Sequence, residues 1–89
     1  MITDLTEAIK DRIEESIPNS TAHVHDPQQD GEHFQALVIS ETFVGKPLVK
    51  QHQLVMNSLK EAFETNVHAL ALKTFTPEKW EIEKENYNV

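Results

Sequence analysis

Residues 33–40, HFQALVIS, constrain this chain more than any other stretch. The run is nearly continuously apolar through its second half and too short for a packed helix, which suits a strand at the centre of a sheet. A shorter strand-like run, TAHVH at 21–25, precedes it across DPQQDGE at 26–32, a loop whose Pro27 and Gly31 mark turns. Two runs joined in this way predict an antiparallel hairpin.

Helical periodicity brackets the hairpin. Leu5, Ile9, Ile13 and Ile17 recur four apart in TDLTEAIKDRIEESI, with Ala8 beside them and charges elsewhere, which predicts an amphipathic helix. Thr3 or Asp4 is its expected cap, with Glu7 reaching back, and Pro18 ends it. The later run PLVKQHQLVMNSLKEAF at 47–63 sets Leu48, Val55, Leu59 and Phe63 on one side, with Val49 and Met56 adjacent and Pro47 suited to the first turn. Its polar KQHQ interrupts the rhythm near 51–53, so one helix or a pair of short ones both satisfy the pattern.

NVHALALKTF at 66–75 alternates as a third strand. His68, Leu70, Leu72 and Thr74 take one face; Val67, Ala69, Ala71, Lys73 and Phe75 take the other. Thr76 then caps a final helix, PEKWEIEKE, with Pro77 at its first position and Trp80 on its inner face, closing the core. A strand–helix–strand passage normally makes parallel neighbours. The expectation is therefore an α+β domain: a mixed three-stranded sheet covered by helices on one face, in one domain spanning 1–89, with 84–89 as a frayed tail.

The 89 residues, 38% of them apolar, fit one core near the lower end of what folds unaided. No cysteine is present, so the chain alone builds neither a disulfide nor a thiolate centre. No segment approaches the roughly 20 apolar residues of a membrane span. The acid-rich start argues against a secretory or Arg-rich transit segment, which makes the cytoplasm the default.

Charge is uneven. Residues 1–42 carry nine acids and two bases, whereas 43–60, FVGKPLVKQHQLVMNSLK, carry three lysines and no acid. That island sits in a chain of net charge −7 with eight Lys and Arg in all, which disfavours a general nucleic-acid binder but leaves one helix face for the role.

Five histidines, at 23, 25, 33, 52 and 68, are the candidates for metal or proton chemistry. None lies in H-E-x-x-H spacing; HVH places His23 and His25 on one side of a strand, a spacing that chelates or simply faces solvent. With two glycines, no G-x-S-x-G elbow and no phosphate loop, the chain offers no catalytic constellation, and a non-enzymatic role is expected. By residue type alone His68 reads as a core-edge histidine bonded to backbone rather than a ligand.

Taken in order, HFQALVIS, the F-x-G of FVGK, the basic-His helix start, L-V-x-x-x-L, V-H-A-L and T-P-x-x-W resemble the BolA family over about residues 33–80. The resemblance implies an α-β-β-α-α-β-α domain of class II KH-like topology. It also implies an interaction module that pairs with a monothiol glutaredoxin of the CGFS type and shares a [2Fe-2S] cluster, in iron–sulfur trafficking or iron regulation. The histidine of V-H-A-L, here His68, then becomes the cluster ligand, with thiolate and glutathione supplied by the partner. The family's second ligand stands in the loop between the first two strands. DPQQDGE holds neither His nor Cys, and the nearest candidate is His25. Lys46, Lys50, His52 and Lys60 mark the partner or nucleic-acid interface. A KH-like DNA-binding regulator is the alternative, although VGKP has only one glycine of a G-x-x-G loop. Self-association is left open.

Overall fold

The computed structural model describes residues 5–26, 33–62 and 69–87. Helix α1 (Leu5–Ser16) leads into strands β1 (Ser20–His25) and β2 (His33–Ser40). A 3₁₀ turn at Glu41–Phe43 precedes helix α2 (Leu48–Ala62), strand β3 (Ala69–Phe75) and helix α3 (Pro77–Glu83), and a second 3₁₀ turn covers Lys84–Asn86. The α+β class is as expected.

β2 is central. It pairs antiparallel with β1, from Ser20 opposite Ser40 to His25 opposite Gln35. It pairs parallel with β3, from His33 opposite Ala69 to Ile39 opposite Phe75. Alternation then decides what each face buries. Ala22, Phe34 and Val38 face Ile9 and Ile13 of α1, Ile17 just past its end, Phe43, and Val55 and Leu59 of α2, with Val24, Leu70 and Leu72 packed at the margin. Full burial of each such aliphatic side chain contributes about 1.5–3 kcal/mol, so the isoleucine stripe of α1 is a principal tie between helix and sheet.

Leu37, Ile39 and Phe75 lie on the opposite face, where Trp80 and Tyr87 cover them. The expected single helical layer therefore holds for α1 and α2 and not for α3. Phe75 ends β3 on the far side, and the short Thr76 connection delivers Trp80 to that side, 5.1 Å from Phe75 between ring centroids. Thr76 caps α3 as its sequence predicts, accepting from the Lys79 amide at 3.3 Å, with Pro77 in the first turn. Within the expected tail, Lys84–Asn86 form a 3₁₀ turn and Tyr87 packs edge-on to Phe75 at 5.7 Å; residues 88 and 89 lie outside the described residues.

α2 runs without a break through KQHQ. Gln51 is buried there, and its amide makes three bonds. Nε2 donates to the carbonyls of Lys46 (2.8 Å) and Phe43 (3.3 Å), while Oε1 accepts from the Thr74 hydroxyl at 2.6 Å. The polar interruption in the sequence is thus an inward-facing staple. The buried stripe passes through Gln51, Val55, Ser58 and Leu59, so Leu48, Val49 and Met56, expected in or beside the core, are exposed. Phe63 and the expected α1 caps Thr3 and Asp4 lie outside the described residues.

Two turns require left-handed backbone. Asn19 (φ 53°) reverses the chain between α1 and β1, and Gly45 (φ 79°) does so ahead of α2. The Pro18 carbonyl beside the first turn accepts the hydroxyls of Ser40 (2.8 Å) and Thr42 (3.1 Å), pinning it to the end of β2. Removing one partner from a buried polar set leaves the others unsatisfied, at about 1–3 kcal/mol per group. Gln51→Ala is therefore expected to cost about 2–3 kcal/mol in urea unfolding. Gln51→Glu, which cannot donate to the two carbonyls, should be no better, and Thr74→Val added to Gln51→Leu should cost less than the sum of the single changes.

Candidate functional site

The sequence-nominated residues fall into two regions. The first is the loop and helix from Val44 to Lys60. Gly45 turns the chain, Gln51 fixes the Phe43 and Lys46 carbonyls, and the first turns of α2 are thereby held facing outward. Val44, Leu48 and Val49 are 62, 55 and 66% exposed, and Leu54 and Met56 continue the apolar surface down the helix. Lys46, Lys50 and Lys60 are exposed among them, and His52 is half-buried. The Lys46 ammonium bonds the Thr42 carbonyl at 2.9 Å, so it also closes the loop it stands on.

The second region is the end of the sheet where β1 finishes and β2 and β3 begin. His25, exposed, is the last residue of β1 and pairs with Gln35; His33 starts β2 opposite Ala69, the first residue of β3. His68, which precedes Ala69 in the sequence, lies outside the described residues, as do residues 27–32 of the intervening loop. Among the described residues no three His, Cys, Asp or Glu side chains gather as a metal cluster. The structure brings His25 and the two strand starts to one end of the sheet and leaves Lys46, Lys50, His52 and Lys60 on a separate surface.

His23 proves different from His25. It stacks on Trp80 with centroids 5.9 Å apart, on the far face. Desolvation by burial, followed by the neighbouring His25 and Lys10, pulls its pKa below the ordinary histidine value, with Glu14 opposing. HVH is therefore one packed and one solvated imidazole.

Glu14 closes the margin of β1. Its Oε2 accepts the Ala22 amide at 3.0 Å, and its carboxylate binds the Lys10 ammonium at 2.8 Å. Burial acts to raise this carboxyl, but the bonds from Lys10 and Ala22 outweigh it and the pKa falls. Lys10 is raised, first by that same bond and against its own desolvation. The Lys10–Glu14 pair follows from helical i,i+4 spacing, whereas the Ala22 bond depends on how α1 crosses the sheet and was not foreseeable from spacing.

Comparison with known proteins decides the family. Residues 5–79 match the family model described as BolA-like protein. The chain belongs to the BolA-like family. Among solved structures it is similar to a BolA homologue from Coxiella burnetii, at 38% identity and a TM-score of 0.74 over 91% of this chain and 99% of that one. It is also similar to yeast Fra2, at 27% identity and a TM-score of 0.68 over 99% and 96%. The DNA-binding transcriptional regulator BolA of Escherichia coli is 36% identical over 55 residues, which are 62% of this chain and 52% of that protein. The chain thus spans about half the length of that curated relative. No helix among the described residues is long and apolar enough to cross a membrane.

Of the three shifted groups, His23 and Glu14 set an acid response. Both pKa values are depressed, so each contribution is complete above its unfolded value and is lost as pH falls through the folded one. For His23 the loss begins below about pH 6.5, and for Glu14 below about 4.3. Unfolding free energy measured against pH should fall less steeply between about pH 6.5 and 5 in His23→Phe than in the wild type, and less steeply below about 4.3 in Glu14→Gln.

Proposed function

We propose that this chain is the non-enzymatic partner of a monothiol glutaredoxin of the CGFS type, docking through Val44–Met56 and contributing imidazole to a shared [2Fe-2S] cluster. The observation that carries the reading is the outer surface of α2 and its preceding loop, where large apolar side chains and lysines stand together on a segment without an acid. Exposed apolar area of this kind suits burial against a protein, which phosphate backbones do not require.

The donor chemistry fits a cluster held in trans. A chain without cysteine has no thiolate for iron, so His68, with His25 as the second candidate, would supply nitrogen, while sulfur and glutathione arrive with the partner. Imidazole ligation raises a cluster's reduction potential and leaves a ligand that protonates readily. His25 supports this role by being exposed at the sheet end where β3 begins. Cluster trafficking or iron regulation in the cytoplasm is the corresponding cellular role.

A DNA-binding role is the second reading, favoured by Lys46, Lys50 and Lys60 and by the name of the Escherichia coli relative. It is the weaker one, since the same surface exposes Val44, Leu48 and Val49 and the chain carries a net charge of −7.

Copurified with a CGFS glutaredoxin, the wild type should give a visible cluster spectrum that changes in His68→Ala; an unchanged spectrum and unchanged cluster lifetime would overturn the ligand assignment. Val49→Glu should weaken the pair by at least about tenfold in calorimetry, with an unaltered circular dichroism spectrum. Duplex binding that falls steeply with salt, and falls further in Lys46→Ala, Lys50→Ala and Lys60→Ala, would favour the DNA reading.

A further inference from the structure

The sheet has two margins, and they are treated differently. At β1 the outward amide of Ala22 is taken by Glu14 at 3.0 Å, so α1 closes that side. β3 pairs with β2 and, among the described residues, with no other strand. Two side chains of β3 bond neighbouring elements, Thr74 to Gln51 and Lys73 to Tyr87. Alongside runs a groove of about 260 Å³, walled by Leu48 and His52 of α2, Lys73 of β3, Lys79 and Glu83 of α3, and Tyr87.

We propose that this open margin accepts an extended acidic segment of a partner protein as a fourth strand. A seven-residue strand turns the backbone groups of about every second residue outward, enough to hold a short segment in register. Pairing there would satisfy those groups without opening the fold.

Alternation specifies the guest. Leu72 faces the α2 side, next to Leu48, whereas Lys73 faces the α3 side, next to Lys79. A strand laid against this edge therefore places alternate residues in an apolar strip and a cationic one, so the segment that fits alternates apolar with acidic residues. Glu83, which also lines the groove, lies 3.8 Å from Lys79 and offsets part of that charge, while the Lys73 ammonium rests on Tyr87, 3.3 Å from its hydroxyl. A second copy fits less well: its β3 brings another lysine and no acid, on a chain of net charge −7. The groove lies away from the cluster end of the sheet; it shares Leu48 and His52 with the surface proposed for the glutaredoxin, but the strand edge itself is β3, which that reading does not use.

Titrating the ¹⁵N-labelled full chain with a capped peptide alternating Glu and Val tests it by NMR, with no glutaredoxin or iron present. The amides of Leu70–Phe75 should shift saturably and exchange more slowly. Binding should be about tenfold weaker with the same peptide N-methylated at alternate positions, with a Lys/Val peptide, and in Lys73→Glu or Lys79→Glu. Absence of saturable shifts, equal binding of the N-methylated or basic peptide, or shifts confined to the outer face of α2 would overturn the proposal. None of these outcomes bears on whether a glutaredoxin pair forms a cluster.

Discussion

One buried amide holds the architecture at its most demanding point. A parallel β2–β3 pair obliges the chain to leave the end of β2, cross a face of the sheet and return, and that crossover is the costly part of a small mixed sheet. Gln51 ties its three parts together: the loop after the 3₁₀ turn, the helix itself and the strand that follows, through bonds to Phe43, Lys46 and Thr74. A hydrophobic residue could fill the same volume but could not specify the path of the loop. The outward presentation of Val44, Leu48 and Val49 depends on that specification.

The fold was legible wherever a single period decided the matter. Ile9, Ile13 and Ile17 lie under the sheet because residues four apart share a helix face, and HFQALVIS became the central strand because no polar residue interrupts its second half. Four features were not legible. KQHQ reads as a break until Thr74 and two carbonyls appear opposite Gln51. Leu48 and Met56 read as core because apolar spacing fixes a stripe only to within a turn, and the buried stripe includes Gln51 and Ser58. α3 reads as part of the one helical layer because alternation gives relative faces within a strand and leaves open which face a following helix takes. The segment after Glu83 reads as a loose end because its composition is polar, and Tyr87 alone gives it a place against Phe75.

The candidate site divides in the same way. Lys46, Lys50, His52 and Lys60 could be nominated from an acid-free segment; in the loop and helix that carry them the three lysines are exposed and His52 is half-buried. His25 and His23 look alike in HVH, yet one is solvated and the other stacks on Trp80, more than fifty residues away in sequence. The bond from Ala22 to Glu14 is equally invisible to spacing. Long-range contacts of this kind decide which polar residues remain available for chemistry, and family membership supplies the expectation for His68 that geometry within the described residues does not reach.

The sheet is also loaded unequally. On one side two long helices and Phe43 share a continuous interior; on the other α3 and Tyr87 rest on the smaller cluster of Leu37, Ile39 and Phe75 and on the His23 ring. An element with so small an anchorage opens at lower free energy than the body it covers. The aromatic stack of His23, Trp80 and Tyr87 holds the wall of the cleft beside β3 to which Lys79, Glu83 and Tyr87 belong, independently of the isoleucine-packed side. Access to that cleft is thereby tied to the stability of the last helix and can be tuned without disturbing the principal interior.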